Sequence, residues 1–547
     1  MGTHETRLHV VYPQPGHTTH EDSTFFIGSA PPGWHLRCND HPVSVTPDGY
    51  FTHQVALHDG KQTFTLTAQH GAQQETVTLA ITRVTPYPVL SAGQGLYHRE
   101  TLWPDPDYPI GIRAGDALTL RWSGNVDTPA ILSIPGVVEG VAAKPVYPEA
   151  KTQTDGIIDN RQPVFREPHQ TTRRIPRAGW MEATLTIPPG TPEQQTTIRL
   201  NGAVLYSDVS IWEAPRVAQI STPDTLSRPS PDSPDRLTPQ PRRVTFSVDQ
   251  QHSGWVRTHW GTQAVWHPEP DILWQPADNL RTGDLPTPML LNTRVQAGPD
   301  GRLMEWTWSH LPPISVSEPD AETVAIRFIT TDETQSFSLP RLCGYTLAAE
   351  NNTLSLTLNT LPITPEQTRI LIDPGHGGGE TGTAGPNGLP EKTLNLTVAN
   401  RLIEALRQAG FTVMTTRTND HAVSLEDRAT QASQDKAHLV ISLHHNALPD
   451  GRNPAEHKGA CCFWYHPHAK PLAEKLQQGL TALAGVNDYG VFEESFALTR
   501  ITGSMAVLVE IGFFTDPAEF TRLIHPAFQV DMVTQLTQSL LQLFRRS

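Results

Sequence analysis

Up to about residue 361 the apolar positions tend to alternate with polar ones, whereas beyond it they fall into short continuous runs separated by stretches of helical spacing. In the first part Phe51, Val55 and Leu57, then Phe64, Leu66 and Ala68, then Val77, Leu79 and Ile81 keep a period of two. Turns at Pro47-Asp48-Gly49 and Asp59-Gly60 separate them, which predicts a small antiparallel sandwich of immunoglobulin-like class over 1–84. Less regular strands follow at Leu118, Leu120 and Trp122, at Ile131, Leu132 and Ile134, at Ala183, Leu185 and Ile187, and from Ile198 to Trp212. These predict a second β module over 85–217. A cluster of Pro, Ser and Asp from Thr222 to Arg243 marks a boundary, and a third β module is expected over 218–361.

In that third stretch tryptophans recur in strand-like context at Trp255, Trp260, Trp266, Trp274, Trp306 and Trp308. Gly254-Trp255-Val256-Arg257 with Trp266 faintly resembles bacterial SH3-like modules, which implies a groove for wall peptides; core filling is the simpler reading of the same residues. The region from Gly33 to Phe64 is similar in composition to the small sandwiches that precede many secreted bacterial enzymes, so a spacer or docking role is expected there rather than catalysis.

The terminal stretch, 362–547, has a different grammar. Strands are predicted at Ile370-Leu371-Ile372, Phe411 to Thr415, Leu439 to Leu443 and Ala506 to Val509. Between and after them come helical patterns. Leu394, Val398, Ala399, Leu402, Ile403 and Leu406 run from Glu391 to a stop at Gly410, Ser424 caps a second helix, and Leu472 to Leu483 and Val530 to Leu543 mark two more. The expectation for the whole chain is therefore multidomain: all-β modules, then an α/β open-sheet hydrolase domain. Such sheets place ligands beyond the carboxyl ends of their strands.

Charge narrows the partners. With 41 Lys and Arg against 56 Asp and Glu, a formal charge of −15 and no basic stripe, a nucleic-acid partner is disfavoured. No apolar run approaches the roughly 18 residues of a spanning segment, and Met1 to Val11 is polar, so the sequence reads as soluble and without an export signal. Met1 to Thr6 fits a six-residue myristoylation pattern, to which no function is attached. Cys38, Cys343, Cys461 and Cys462 do not form an evenly spaced disulfide framework, and the adjacent pair reads as core strand.

Candidate chemistry gathers at the strand ends. His376 follows the first apolar run through the turn Asp373-Pro374-Gly375-His376-Gly377-Gly378-Gly379, His444 follows the third, Glu510 ends the fourth, and Glu391 opens a helix. Two imidazoles and a carboxylate form the donor set of a catalytic zinc site with one position left for water. A second carboxylate, Glu510, then serves as general base and afterwards as general acid, which defines metal-assisted amide hydrolysis. Taken singly each residue has a plainer reading. Glu391 suits a helix amino end and Glu510 could pair with Arg500; among 24 histidines, His445, His466 and His468 are further candidates.

The stretch Ile370 to Leu402, with Gly385-Pro386-Asn387-Gly388 and Glu391-Lys392, resembles the zinc-dependent N-acetylmuramoyl-L-alanine amidases of the cell-wall type. So do Arg417 with Asp420 and Leu425, Ser442-Leu443-His444-His445-Asn446-Ala447 and Leu508-Val509-Glu510-Ile511-Gly512-Phe513, all within Glu366 to Ser547. The resemblance implies Zn2+ held by His376, Glu391 and His444, with Glu510 as catalytic acid-base. It also implies a peptidoglycan substrate cut between the lactyl group of N-acetylmuramic acid and L-alanine, in the cell envelope, during wall remodelling or daughter-cell separation. The β modules are then expected to bind wall or an envelope protein. Some members carry a helical insertion after the second histidine that plugs the metal; Ala447 to Ala460, with Pro449, Gly451, Pro454 and Gly459, is too short and broken for one. A site open without an activator is therefore expected.

Overall fold

The computed structural model describes residues 7–85, 89–91, 93–146, 179–222, 225–233, 236–275, 287–298, 301–329 and 333–544. The pattern at Met1 to Thr6 lies outside them. Up to residue 361 the described elements are strands apart from short 3-10 turns, and from 369 onward helices and strands alternate.

The amino-terminal unit sets a three-stranded sheet (His9–Tyr12, Ser23–Ser29, Tyr50–Ala56) over a five-stranded one that includes the long hairpin Gly60–His70 and Gln73–Arg83. Alternating side chains meet between the sheets, Phe26, Phe51, Leu36, Leu66 and Ile81 among them. The division expected at residue 217 does not interrupt hydrogen bonding. One eight-stranded sheet runs from Val138–Ala142 through Ala203–Trp212 and Ile110–Arg113 to Gln250–His252, Trp255–Trp260 and Gln263–Pro268. Arg257 fastens the join, its Nε donating to Asp249 at 2.7 Å and its Nη2 to Asp116. Beyond it a four-stranded and a three-stranded sheet enclose Met304, Trp306, Trp308 and Phe328. Trp260, Trp266, Trp306 and Trp308 are all buried, so these tryptophans fill cores.

The terminal domain is a six-stranded sheet ordered Thr412–Thr415, Arg369–Pro374, Leu439–Asn446, Met505–Phe513, Ala460–Trp464, Asp488–Glu493. The first four strands are mutually parallel, and Ala460–Trp464 runs antiparallel to Met505–Phe513. Strand parity sorts the core. Ile370, Ile372, Leu439, Ile441, Leu443, Val507 and Val509 face the helices Glu391–Gln408, Lys470–Thr481 and Pro526–Gln542. Leu371, Val440 and Ala506 face the other side, against Ala432 of helix Leu425–Gln434. The expected caps form: Ser424 Oγ accepts from the Asp427 N–H at 3.0 Å, and Gly410 takes a φ of +96° after the first helix.

Candidate metal centre

Register builds the site. Asp373 pairs with Ser442 and Pro374 with Leu443 across one strand boundary, and His444 pairs with Glu510 across the next. Parallel neighbours in register point their side chains to the same face, so the histidine and the glutamate emerge together at the carboxyl edge. His376 reaches that edge by leaving its strand through a left-handed backbone, φ +62°. Such a conformation is strained for a residue with a Cβ and persists only where the surroundings hold it. Gly377 and Gly378 continue the turn because a Cβ on either would lie 2.3 Å from the His421 carbonyl oxygen or 2.7 Å from the Ala422 nitrogen.

Two buried arginines hold this turn. Arg417 donates to the carbonyls of Pro374 (2.9 Å), Gly375 (3.0 Å) and Lys392 (2.8 Å). Arg428 donates to Pro374 (3.1 Å), to the His376 carbonyl (2.8 Å) and to the buried Asp373 carboxylate. Burial alone would raise the Asp373 carboxyl, but Arg428, with hydroxyls from Ser442 (2.6 Å) and Thr416 (2.5 Å), holds it below the usual carboxylate range.

The structure brings His376, Glu391 and His444 together, one donor atom from each lying within 4.8 Å of the others. Glu391 Oε2 is 3.2 Å from His376 Nε2 and Oε1 is 3.0 Å from His444 Nδ1, with the two rings edge to face at 4.8 Å. Glu391 is further fixed by the N–H groups of Thr383 and His445, both at 3.1 Å, and by Asn395 Nδ2 at 3.1 Å. Desolvation would raise its carboxyl, yet the neighbouring histidines hold it well below the ordinary range. The cleft leaves no room for side chains at Gly375 and Gly382, where a Cβ would fall 2.2 Å from the His444 ring or 2.3 Å from Glu391 Oε2.

His445 turns to the opposite face, as strand alternation requires, and is buried against Phe514. Burial lowers it to about 3, so it is neutral; its Nδ1–H donates to Asn395 Oδ1 at 2.6 Å and thereby orients the amide that bonds Glu391. His466 and His468 lie elsewhere, both on Glu318 of the strand Ile314–Asp320. Glu510 forms no pair with Arg500, whose guanidinium donates to the Ser495 carbonyl at 2.6 Å. Instead Glu510 Oε2 is buried without a hydrogen-bond partner among the described residues. Burial, then the Glu391 charge, push its carboxyl well above the usual range.

That combination fits a cation. Two imidazoles and the Glu391 carboxylate converge within 4.8 Å beside the partnerless Glu510 oxygen, and these nitrogen and oxygen donors suit zinc. Asn395 and Arg428 escaped the sequence reading. A signal was there for the first: an amide four residues past Glu391, on a helix stripe otherwise set by Leu394, Val398 and Leu402.

The fold and site together define an open α/β domain with a cluster of three candidate metal donors on its carboxyl edge. The family model described as N-acetylmuramoyl-L-alanine amidase matches residues 370–542. N-acetylmuramoyl-L-alanine amidase LytC of Bacillus subtilis is 34% identical over 154 residues, 28% of this chain and 31% of LytC. The uncharacterized protein YqiI of the same organism is 30% identical over 164 residues, 29% of this chain and 77% of YqiI. A solved N-acetylmuramoyl-L-alanine amidase from Clostridium difficile 630 is 31% identical at a TM-score of 0.31, covering 32% of this chain and 96% of that one. Through its terminal domain the chain belongs to the N-acetylmuramoyl-L-alanine amidase family. It spans about a third of the length of LytC.

Proposed function

We propose that the protein hydrolyses the amide between the lactyl group of N-acetylmuramic acid and L-alanine in peptidoglycan, with His376, Glu391 and His444 holding Zn2+ and Glu510 as acid-base. The observation that carries this reading is the three-donor cluster beside a buried carboxylate whose own oxygen lacks a partner. Zinc bound there would polarise the amide carbonyl and acidify water.

Glu510 takes a proton from the attacking water and returns it to the amine of L-alanine as the C–N bond breaks. Its burial keeps that proton from bulk solvent. Asn395 and His445 hold the Glu391 carboxylate in place, and Asp373 with Arg417 and Arg428 fixes the turn that presents His376. Residues 447–459 contain no helix, which supports a cleft that substrate enters without an activator. The substrate lies in the wall, so an envelope location follows, with a role in wall remodelling or separation of daughter cells. The β modules, immunoglobulin-like at the start and SH3-like in the third region, are read as the parts that engage wall or an envelope protein. We read the chain as four functional units, 1–84, 85–217, 218–361 and 362–547, of which the second and third share strands of one sheet.

Digestion of purified peptidoglycan tests this. Mass spectrometry should find stem peptides with a free L-alanine amine from the metal-replete wild type and none after chelation or in Glu510→Ala. Cleavage at another amide would replace the proposed substrate bond; zinc binding with no product from any wall would sink the enzymatic reading.

A further inference from the structure

The amino-terminal sandwich does not hang free of the catalytic domain. Asp450, six residues beyond His444, receives three side-chain donors from it: Tyr12 Oη at 2.6 Å and Thr24 Oγ1 at 2.5 Å on one carboxylate oxygen, and His17 Nε2 at 2.7 Å on the other. The side chain is only 12% exposed, and burial is outweighed by these donors, so its carboxyl is held below the usual range. The Gly451 N–H donates to the Ser23 carbonyl at 3.0 Å, and a Cβ on Gly451 would lie 2.9 Å from Glu21. Beneath this polar anchor Phe25 and Ile27 of the sandwich share an apolar cluster with Leu448 and with Phe513, three residues past Glu510.

A second loop is held from the same side. Residues 385–388 lie between His376 and Glu391 in the chain; Gly385 packs directly on Phe520, and the Tyr50 ring meets Phe520 edge to face at 5.2 Å. On the same loop a Cβ on Gly388 would lie 3.9 Å from the His9 ring of the sandwich. So the sandwich is anchored to the loop that leaves His444 and packs beside the loop that leads to Glu391. Neither loop contains a helix or strand of its own, and chain without regular structure keeps one conformation only when outside contacts offset roughly 1–2 kcal/mol of backbone entropy per residue.

We infer that the amino-terminal sandwich is a fixed wall of the catalytic cleft, holding through Asp450 the loops that receive the part of a long glycan-peptide beyond the scissile amide. The inference rests on the amidase reading above. Asp450 is then a positioning residue for extended substrate, and the sandwich is part of the enzyme's specificity rather than a detachable mount. A contact held equally in the ground and transition states raises KM and leaves kcat unchanged when it is lost, which is the signature expected here.

The test compares wild type, Asp450→Ala and the milder Tyr12→Phe in the full chain. Three quantities are read: zinc per chain, hydrogen exchange over 447–459, and KM on long glycan strands relative to a disaccharide-peptide. In Asp450→Ala exchange over 447–459 should speed up, zinc should stay at one per chain, and the long-to-short KM ratio should rise about tenfold. Tyr12→Phe should move the ratio the same way by about twofold. Equal losses on both substrates, or faster exchange with an unchanged ratio, would overturn the inference by making Asp450 merely structural. A wild type inactive on both substrates would instead defeat the amidase reading, while the exchange result would still report on the docking.

Discussion

The protein contains two clusters of the same make-up, two histidines around one glutamate, and they are built to opposite ends. In the first, His376 and His444 flank Glu391 with their rings edge to face, remain 23% and 16% exposed, and lie near a second carboxylate, Glu510, that has an oxygen without a partner. In the second, His466 and His468 stack at 11° on one carboxylate, Glu318, with Nδ1 distances of 2.6 and 2.8 Å. Their Nε2 atoms meet the carbonyls of Arg500 at 3.0 Å and Ser504 at 3.1 Å. Carboxylates and carbonyls only accept, so all four ring nitrogens of this pair are directed at acceptor oxygens. Nothing remains free to bind a metal. Residue type therefore does not separate a metal centre from a structural clamp; the acceptors around the far ring nitrogens and the access of solvent do.

The second cluster also joins two parts of the chain. Glu318 belongs to the strand Ile314–Asp320 of the all-β region, whereas both histidines precede the helix Lys470–Thr481. Arg341 adds to the same junction through the carbonyls of Leu361, Pro362 and Leu543.

Breaking the first cluster should have the largest effect. His376→Ala should lose zinc and all measurable hydrolysis, read by metal analysis and product release. Glu510→Gln separates chemistry from metal binding: zinc should stay at one per chain while kcat falls by roughly 10²–10⁴. A smaller loss is expected from Asn395→Ala, which frees Glu391 from one donor and should weaken zinc affinity by about 10–100-fold in a competition titration.

Breaking the second cluster should leave zinc and kcat nearly untouched and cost stability instead. Glu318→Gln removes the buried carboxylate that both rings bond and should destabilise by about 1–3 kcal/mol, seen as a lower unfolding temperature in calorimetry. The pH dependence has a definite sign. Burial would raise the Glu318 carboxyl, but the hydrogen bonds and charges of His466 and His468 hold it at about 2, against an ordinary value of 4.5. A carboxyl depressed in the folded state contributes fully above its unfolded value and loses that contribution as pH falls toward the folded one. The clamp should thus weaken between about pH 4.5 and 2, and Glu318→Gln should flatten the stability profile across that window. An unchanged profile would mean that the clamp is not titrating there.

Much of the first cluster was legible in the sequence because each member follows a recognisable element end: an apolar strand for His376, His444 and Glu510, a helix start for Glu391. The period-two and period-3.6 patterns likewise located the β region and the α/β domain. What escaped was held by long-range placement. The strand Gln250–His252 carries no apolar residue, yet all three side chains are buried where it joins Ile110–Arg113, so a hydrophobic pattern could not announce it. The edge strand Asp488–Glu493 is only partly buried and shows no alternation, and the short helix Pro517–Leu523 is signalled chiefly by its cap, Asp516. No local sequence signal distinguishes Glu318 or Asp450 from other acids; only the packing of separate units supplies their partners. His466-Pro467-His468 read as metal-like because its composition matched, while the acceptors that occupy it come from chain far away.

The most direct test of this account is diffraction from crystals of the full chain grown with zinc, with data collected on both sides of the zinc absorption edge. The account predicts one anomalous peak per chain, in contact with His376, Glu391 and His444, with solvent rather than a protein side chain at the fourth position and no peak at Glu318, His466 and His468. A peak on the second cluster, or a side chain of this chain filling the fourth position on the first, would contradict it.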